Sequence, residues 1–483
     1  MHILTLFFVL FDPTIDGIET PDVVAQWVAS DLATVNPIDQ PFQRYVWVPS
    51  WSDPKTPHAL TFAVNAAASR SGIIQQPTML ANGWLQRWDL RRLVQTDEEL
   101  ANLIKVWDSL IVDEPYFHDR QTATISPAVA LRLATLGPVG EMGCPVYRGD
   151  WFLSKLLGTI DGGKYIEFRG LRATGKDGRT QEQLALARLG VFEDASVEVD
   201  GDRRVGMFRS GVTGKARSVI ALRSLIGWAW VTEDIFDEDV DADTHPIYNL
   251  MNNNYRGREI IATLPNGLHA FLITDDKGNI LDEAPPQLVA DHMIPAPYTK
   301  RLQGGAISCI RCHGIGDGLR DCRNDVASLL SNNLTPLDDL TLPDGVNSYD
   351  EIATRYSGRA FERSLIFGRQ DFADAIRQVS GGLLTTQQMS QLVTDVYGGF
   401  HYDMVDSEVA LRELGFNLND PDNKIQPSVV FSQMVDFPDA ANGIALEDPS
   451  IAALFSGIPI RRTDFERVYG QLLFRSIQMR NKK

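Results

Sequence analysis

The sequence predicts an α+β protein, in which a mixed α/β N-terminal region and an antiparallel β meander lead into a largely helical C-terminal region. Three patterns support this prediction. Helical and extended patterns alternate in the first third of the chain, strand and turn patterns alternate over 258–281, and apolar residues recur at helical spacing from 319 onward. Since 483 residues exceed what one hydrophobic core usually serves, we expect three regions, at 12–148, 149–283 and 284–483.

The N-terminal region shows helix and strand signals in turn. Caps and a proline at the first helical position mark helix starts, whereas aromatic and β-branched residues mark strands. In chain order, the sequence predicts a helix capped by Thr20, a strand at 44–48, a helix from Thr56 to Gly72, a strand at 84–93 and a helix that opens with the capping box at 96–99. Proline and glycine residues over 138–145 then indicate the boundary to the central region.

The central region contains a glycine-rich loop that looks like a phosphate-binding loop. Residues 170–176 follow a strand-like run and end in Gly-Lys. Asp177 stands where a Ser or Thr would hold magnesium, and its carboxylate would repel a triphosphate. The sequence therefore favours a turn here, followed by a helix that is capped by Thr180 and Gln183 and ends at Gly190.

An acidic segment follows at 233–243, with seven carboxylates within eleven residues. Such a density of oxygen atoms could attract calcium, but the segment lacks the Gly and Glu that calcium loops place at their sixth and twelfth positions. A solvated acidic loop is the favoured interpretation, with partner docking as a secondary use.

The antiparallel meander is predicted from a regular alternation of strands and turns. Strand patterns at 259–264, 269–274 and 280–281 are separated by turns at 265–267 and 276–278.

Helical periodicity dominates the remainder of the chain. Pairs of glycine residues at 381–382 and 398–399 are expected to end two of the helices. The sequence predicts helices at 319–330, 349–355, 360–379 and 385–397, and a last helix that opens with a capping box at 463–466 and runs to about Met479.

The segment 309–313, with the sequence CIRCH, is the part of the chain whose residue types and spacing predict a specific chemistry. Two thiols three positions apart, followed by an imidazole, form the attachment signature of a c-type haem. Cys309 and Cys312 would form thioether bonds, and His313 would bind the iron from one side. The alternatives are a zinc site to which Cys322 contributes, or a redox dithiol. Haem is favoured because structural zinc sites usually pair two such clips and the sequence has no second CxxC.

Composition and charge limit the partners and the compartment. A net charge of −18 and a pI near 4.9 argue against nucleic acid and favour a redox partner protein with a basic docking face. Haem attachment to CxxCH takes place outside the cytoplasm, so we expect a periplasmic or otherwise extracytoplasmic protein. In that compartment Cys144 and Cys322 could form a disulfide or stay two separate thiols. The apolar run 4–11 is only a weak export signal, and no apolar stretch reaches the roughly 18 residues that span a membrane.

The chain resembles a family of large, mostly uncharacterised bacterial proteins that carry one c-type haem. The matching stretches are spread over most of the chain, at 44–45, 87–90, 150–152, 210–212, 264–268, 308–314 and 465–466. The resemblance implies an exported haem protein with a two-layered N-terminal region and a cytochrome c-like helical domain. The family is expected to have a segment with Arg and His after the stretch that matches 210–212. In this chain the corresponding residues, 220–230, contain no histidine, so the resemblance assigns no residue on the distal side of the haem.

The second axial ligand decides what a bound iron could do. The candidates are Met404, Met389, His401, Met434 or none, although packing is the favoured role of each side chain taken alone. Met404 is favoured because it follows the predicted helix break at 398–399.

A six-coordinate iron would serve electron transfer, which is the predicted function, whereas an open side would permit a peroxidase-like haem enzyme or a small-gas binder. A haem-carrying structural subunit of a larger redox complex, peripheral to a membrane, is the third alternative. The sequence shows no catalytic or nucleotide-binding constellation, and the oligomeric state stays open.

Overall fold

The computed structural model describes residues 19–118, 146–159, 162–172, 178–194, 203–207, 217–234, 255–283, 305–314, 316–319, 359–402, 404–416, 418, 426–435 and 448–481. These residues form thirteen helices and nine strands, so the predicted α+β class is confirmed. The helices are α1 Pro21–Leu32, α2 Thr56–Ala67, α3 Asp97–Ser109, α4 Gly149–Leu157, α5 Tyr165–Phe168, α6 Gln181–Arg188, α7 Ala306–His313, α8 Arg359–Ser380, α9 Thr386–Tyr402, α10 Ser407–Glu413, α11 Pro427–Val435, α12 Pro449–Phe455 and α13 Arg462–Asn481. The strands are β1 Gln43–Trp47, β2 Thr78–Leu80, β3 Leu85–Asp89, β4 Val146–Arg148, β5 Arg204–Met207, β6 Arg217–Arg223, β7 Trp228–Asp234, β8 Gly257–Thr263 and β9 His269–Asp275.

The first sheet has the strand order β2-β3-β1-β4. Strand β1 pairs antiparallel with β3, where Tyr45 lies opposite Arg87, and parallel with β4, where Val46 lies opposite Tyr147. Every residue of β1 is buried, as expected of a central strand that is covered on both faces. Helix α4 packs on β1 and on α2. The predicted alternation of helices and strands in this region is confirmed.

The second sheet is an antiparallel meander in the sequential order β5-β6-β7-β8-β9. The predicted meander is thus confirmed, but it begins earlier than predicted, at Arg204. Residues directly opposite each other in a sheet point to the same face, so Trp230, Ile261 and Phe271 share one face. The third predicted strand is reduced to a single bridge, between Thr274 and Ile280.

Helices α7 and α8 pack on this second sheet, α7 against β9 and α8 against β6. A Cβ atom on Gly368 of α8 would overlap the indole ring of Trp230. The indole Nε1 donates a hydrogen bond to the Ser364 hydroxyl, at 3.0 Å. The turn between β8 and β9 also approaches α8, because a Cβ atom on Gly267 would lie 2.9 Å from the carbonyl oxygen of Asp371. These close contacts fix α8 on the sheet.

The capping signals of two helices are confirmed in detail. The Thr96 hydroxyl accepts a hydrogen bond from the Glu99 backbone N–H, and the Glu99 carboxylate accepts one from the Thr96 backbone N–H. Thr180 and Gln183 form the same reciprocal pair at the start of α6.

Helix α9 corrects one predicted boundary, since it continues through the glycines at 398–399 to Tyr402. The predicted stop there is wrong. Tyr397 and Phe400 are both buried. Burying two aromatic side chains stabilises the helix by more than two glycine residues in a helix interior cost.

Other predicted boundaries also differ from the structure. Helix α13 begins at Arg462, so Thr463 lies inside the helix and does not cap it. Helix α2 ends at Ala67, before the predicted stop at Gly72. The run before residue 170 is the short helix α5 and not a strand.

A buried charge cluster joins the C-terminal helices to the first sheet. We call Arg148, Glu413 and Arg462 the Glu413 cluster. Arg148, at the end of β4, donates hydrogen bonds of 2.5 and 3.2 Å to the Glu413 carboxylate of α10. Arg462, at the start of α13, lies 2.8 Å from both carboxylate oxygens. Burial alone would raise the pKa of Glu413, but the two guanidinium groups lower it below the usual value.

Several predictions concern residues outside the described ranges. These are the pairing of Cys144 with Cys322, the turn at 173–177, the helices at 320–330 and 349–355, and the part of the acidic segment that follows Asp234. The first two carboxylates of that segment, Glu233 and Asp234, belong to β7 and are buried, so they are not part of a solvated loop. Within the described ranges, no helix is both long enough and apolar enough to cross a membrane.

Candidate functional site

Helix α7 carries the three predicted site residues. Cys309, Cys312 and His313 are separated by one helical turn or less, so their side chains share one side of the helix. Within the part of the chain that the structure describes, neither thiol takes part in a disulfide. Cys309 is 4% exposed, and Cys312 is half-buried.

The backbone of α7 is held closely at both ends. Gly305, with φ +72°, precedes the helix, and a Cβ atom there would lie 3.0 Å from the carbonyl oxygen of Leu157. Gly314 follows the helix, where a Cβ atom would overlap the side chain of Ser390 in α9. The Ser390 hydroxyl donates a hydrogen bond of 2.6 Å to the Ile310 carbonyl. The position of the thiols is therefore fixed by packing against two other helices.

The imidazole of His313 faces the second sheet. Its Nε2 atom lies 3.4 Å from Glu259 Oε1, and both side chains are 19% exposed. Its ring centroid is 6.3 Å from that of Phe271. The Nδ1 atom is buried and has no hydrogen-bond partner among the described residues. Glu259 thus provides the polar contact that orients this ring.

Glu259 is a residue that sequence reasoning missed. Burial would raise its pKa, but the hydrogen bond and charge of His313, followed by the charge of Arg217, lower the pKa to about 2. The guanidinium Nη1 of Arg217 lies 3.4 Å from Glu259 Oε2. Glu259 is therefore ionised and links an imidazole of α7 to an arginine of β6.

The thiol of Cys309 is held in its protonated form. Burial raises its pKa well above the usual cysteine value, and the neighbouring charge of Glu259 raises the pKa further. A thiol in this state is a poor nucleophile and a poor metal ligand. The arrangement does not favour a reactive redox dithiol.

His269 is the second residue that sequence reasoning missed. It is 1% exposed, its ring stacks on Phe372 at 4.5 Å, and the Trp230 ring lies 5.7 Å away. Burial, followed by the charge of His313, lowers its pKa to about 3. His269 is therefore neutral at physiological pH and forms part of an aromatic wall beside α7.

The donor atoms of α7 are of the kinds that a c-type haem requires. Two cysteines one turn apart and outside a disulfide would supply the sulfur atoms, and one imidazole would supply the iron ligand. Ligation through Nε2 requires Glu259 to release that atom. Among the described residues, no group of three His, Cys, Asp or Glu side chains is placed to hold a metal ion. Cys322, the third thiol of the zinc alternative, lies outside them.

The structure places the four candidate distal ligands in different surroundings. Met389 and Met434 are each 1% exposed and pack in the core, whereas Met404 is 51% exposed. The His401 ring lies 4.4 Å from that of Tyr397. Met404 directly follows α9 and not a helix break at 398–399, which removes the reason for preferring it. Met389 belongs to the helix that packs on α7. The identity of a distal ligand stays a prediction.

Comparison with protein-family models, with curated proteins and with solved structures gave no match.

Proposed function

We propose that this protein is an exported c-type cytochrome that transfers electrons through one covalently bound haem. Cys309 and Cys312 would anchor the group, and His313 would be the proximal ligand. The observation that carries the proposal is the presentation of two cysteines outside a disulfide and one imidazole on the same side of a single packed helix.

The two cysteines supply the covalent attachment. Each thiol would add across a vinyl group, so that sulfur bonds to one carbon and the thiol hydrogen goes to the neighbouring carbon. This addition needs no oxidant, because the sulfur and the thiol hydrogen both end on the former vinyl carbons. Once bound, the iron supplies one-electron chemistry.

Glu259 and Arg217 prepare His313 for this role. Glu259 keeps the imidazole turned toward the second sheet before attachment, through the contact of 3.4 Å. If His313 held a haem iron, the Glu259 carboxylate would still be paired with Arg217, whose Nη1 lies 3.4 Å from it. The charge of Glu259 would therefore not be left without a partner, which is costly for a carboxylate that is largely removed from water.

The charge of the chain supports the remaining parts of the proposal. At a net charge of −18, electrostatic attraction favours a basic redox partner protein over an acidic one. Covalent attachment at CxxCH places the mature protein in the periplasm or another extracytoplasmic compartment.

The test is production of the full chain, with an export signal, in a bacterium that attaches c-type haem in its periplasm. A haem stain after denaturing electrophoresis and a pyridine haemochrome spectrum should show one covalent haem per chain. Cys309→Ser and Cys312→Ser should each change the spectrum and reduce covalent haem, and the double variant should abolish it. Cys144→Ser is the matched control and should retain the full signal.

A colourless protein, or one that contains zinc at one atom per chain, would overturn the proposal. Electron transfer is tested separately by a redox titration, which should be reversible with one electron. Binding of carbon monoxide to the reduced protein would instead favour the haem enzyme or gas binder.

A further inference from the structure

A cavity of about 740 Å³ lies between α3, α5 and α6, lined by residues from these helices and from the end of α2. Its volume is within the range of small-molecule sites. Six Lys and Arg side chains and three Glu side chains line it. Arg172, one of the six, is paired with Asp282, so the local excess is two positive charges. This local excess is notable because the whole chain carries a net charge of −18.

Three arginines from separate elements converge at this cavity. Arg70 follows α2, and its Nη2 donates a hydrogen bond of 2.6 Å to the Phe168 carbonyl. Arg188, in the last turn of α6, donates to the Gly170 carbonyl. A Cβ atom on Gly170 would lie 3.6 Å from Arg70 Nη2. Arg169 lies between Phe168 and Gly170 in the chain, so all three arginines belong to or contact the segment 168–170.

Backbone carbonyls, and not carboxylates, accept the hydrogen bonds of the buried Arg169 and the half-buried Arg70. Arg169 is 5% exposed, and its Nη1 donates to the carbonyls of Ser69 at 2.8 Å and Ala66 at 3.2 Å. Its buried Nε has no acceptor among the described residues. Arg70 likewise donates to the carbonyls of Ser69 and Phe168.

Within the described ranges, no ion pair of 4.0 Å or less reaches either Arg70 or Arg169. The acid whose charge acts on both is Glu99, and its Oε2 atom accepts hydrogen bonds from the backbone N–H groups of Gln95 and Thr96. Burial, followed by the charge of Arg70, lowers the pKa of Arg169 well below the usual value. Buried arginines are normally paired with an acid, because an uncompensated charge away from water is costly.

We propose that this cavity binds a small multivalent anion, through phosphate or carboxylate groups that pair with Arg70, Arg169 and Arg188. The planar guanidinium fork matches both kinds of group with two parallel hydrogen bonds. Capping of helix carbonyls accounts for the hydrogen bonds already present. It does not account for the excess charge of the cavity wall, which an anion would balance. The site is independent of the haem proposal.

Calorimetric titration of the full chain with pyrophosphate and, separately, with citrate tests the proposal. The wild type should bind at least one of the two saturably, with one site per chain. Binding of pyrophosphate alone identifies a phosphorylated ligand, and binding of citrate alone identifies a carboxylate ligand. Arg188→Ala should weaken binding at least tenfold, and Arg70→Lys should weaken it because an ammonium group lacks the fork.

The exposed Arg461 does not line the cavity, so Arg461→Ala is the matched control and should bind as the wild type does. Arg188 is exposed, so its removal should not disturb folding, and equal unfolding midpoints without ligand confirm this. Absence of saturable binding by the wild type to both anions overturns the proposal. Equal affinities of the wild type and Arg188→Ala do so as well. The double variant Cys309→Ser, Cys312→Ser should bind unchanged, which separates this result from the fate of the haem proposal.

Discussion

Glu413→Ala is the substitution that tests the architecture most directly. Glu413 is 2% exposed and accepts four hydrogen bonds from Arg148 and Arg462. The substitution leaves two buried guanidinium groups, of which Arg148 keeps Asp150 at 2.7 Å. No other carboxylate is within ion-pair distance of Arg462 among the described residues. Breaking one buried ion pair costs about 3–5 kcal/mol, and we expect a loss in that range.

The loss is measured from urea denaturation followed by circular dichroism, where it should lower the midpoint of the transition that includes the first sheet. Glu408→Ala is the matched control, because Glu408 is exposed on the same helix and should change stability by less than about 0.5 kcal/mol. If both variants unfold at the same midpoint, the cluster does not hold the C-terminal helices on the sheet.

The stabilisation by Glu413 also depends on pH, with a sign that follows from its pKa. The lowered pKa of Glu413 means that its contribution is present at neutral pH. The difference between wild type and Glu413→Gln should therefore shrink as the pH falls below about 4.

Three further predictions concern single side chains. Gly314→Ala should destabilise the protein by about 1–3 kcal/mol, because the added methyl group overlaps Ser390. Gly470→Ala, in the open interior of α13, should instead stabilise the protein by about 1 kcal/mol. The urea midpoint should therefore fall in the first variant and rise in the second, and shifts in the same direction contradict this reasoning. Thr96→Ala should lower the free energy of unfolding by about 1 kcal/mol, because the capping box is lost. Amide hydrogen exchange should become faster in the first turn of α3, and unchanged exchange there contradicts the capping role. Burial, offset in part by three backbone N–H groups, raises the pKa of Glu114 to about 8, so wild-type stability should fall as the pH rises from about 5 to 8. That slope should be smaller in Glu114→Gln, and an equal slope in both proteins contradicts the shift.

Local signals predicted much of the fold because they act over a few residues. The capping box at Thr96 fixes a helix start with two hydrogen bonds that involve only neighbouring positions. The end of α9 could not be predicted in this way. Its continuation to Tyr402 depends on the burial of Tyr397 and Phe400 against distant parts of the chain.

The candidate site was predictable only in part, for the same reason. The spacing of Cys309, Cys312 and His313 is visible in five consecutive residues. Glu259 and His269 belong to strands, and only the register of β8 and β9 places both on the face that α7 covers. Alternation along each strand separately places Glu259 on the face of Ile261 and His269 on the face of Phe271, but it does not relate one strand to the other. Which helix covers that face cannot be read from alternation.

The Glu413 cluster has a consequence for the order of events during synthesis. Arg148 and Glu413 are separated by 265 positions, and the Tyr116 hydroxyl donates to Glu466, which lies 350 positions later. On the ribosome, the first sheet emerges long before either carboxylate has been added to the chain. Until then Asp150 is the carboxylate beside Arg148, and burying the guanidinium group without Glu413 leaves part of its hydrogen-bonding capacity unmet, which is unfavourable. We therefore expect the early part of the chain to remain loosely packed while translation continues, and to tighten when helix α13 arrives.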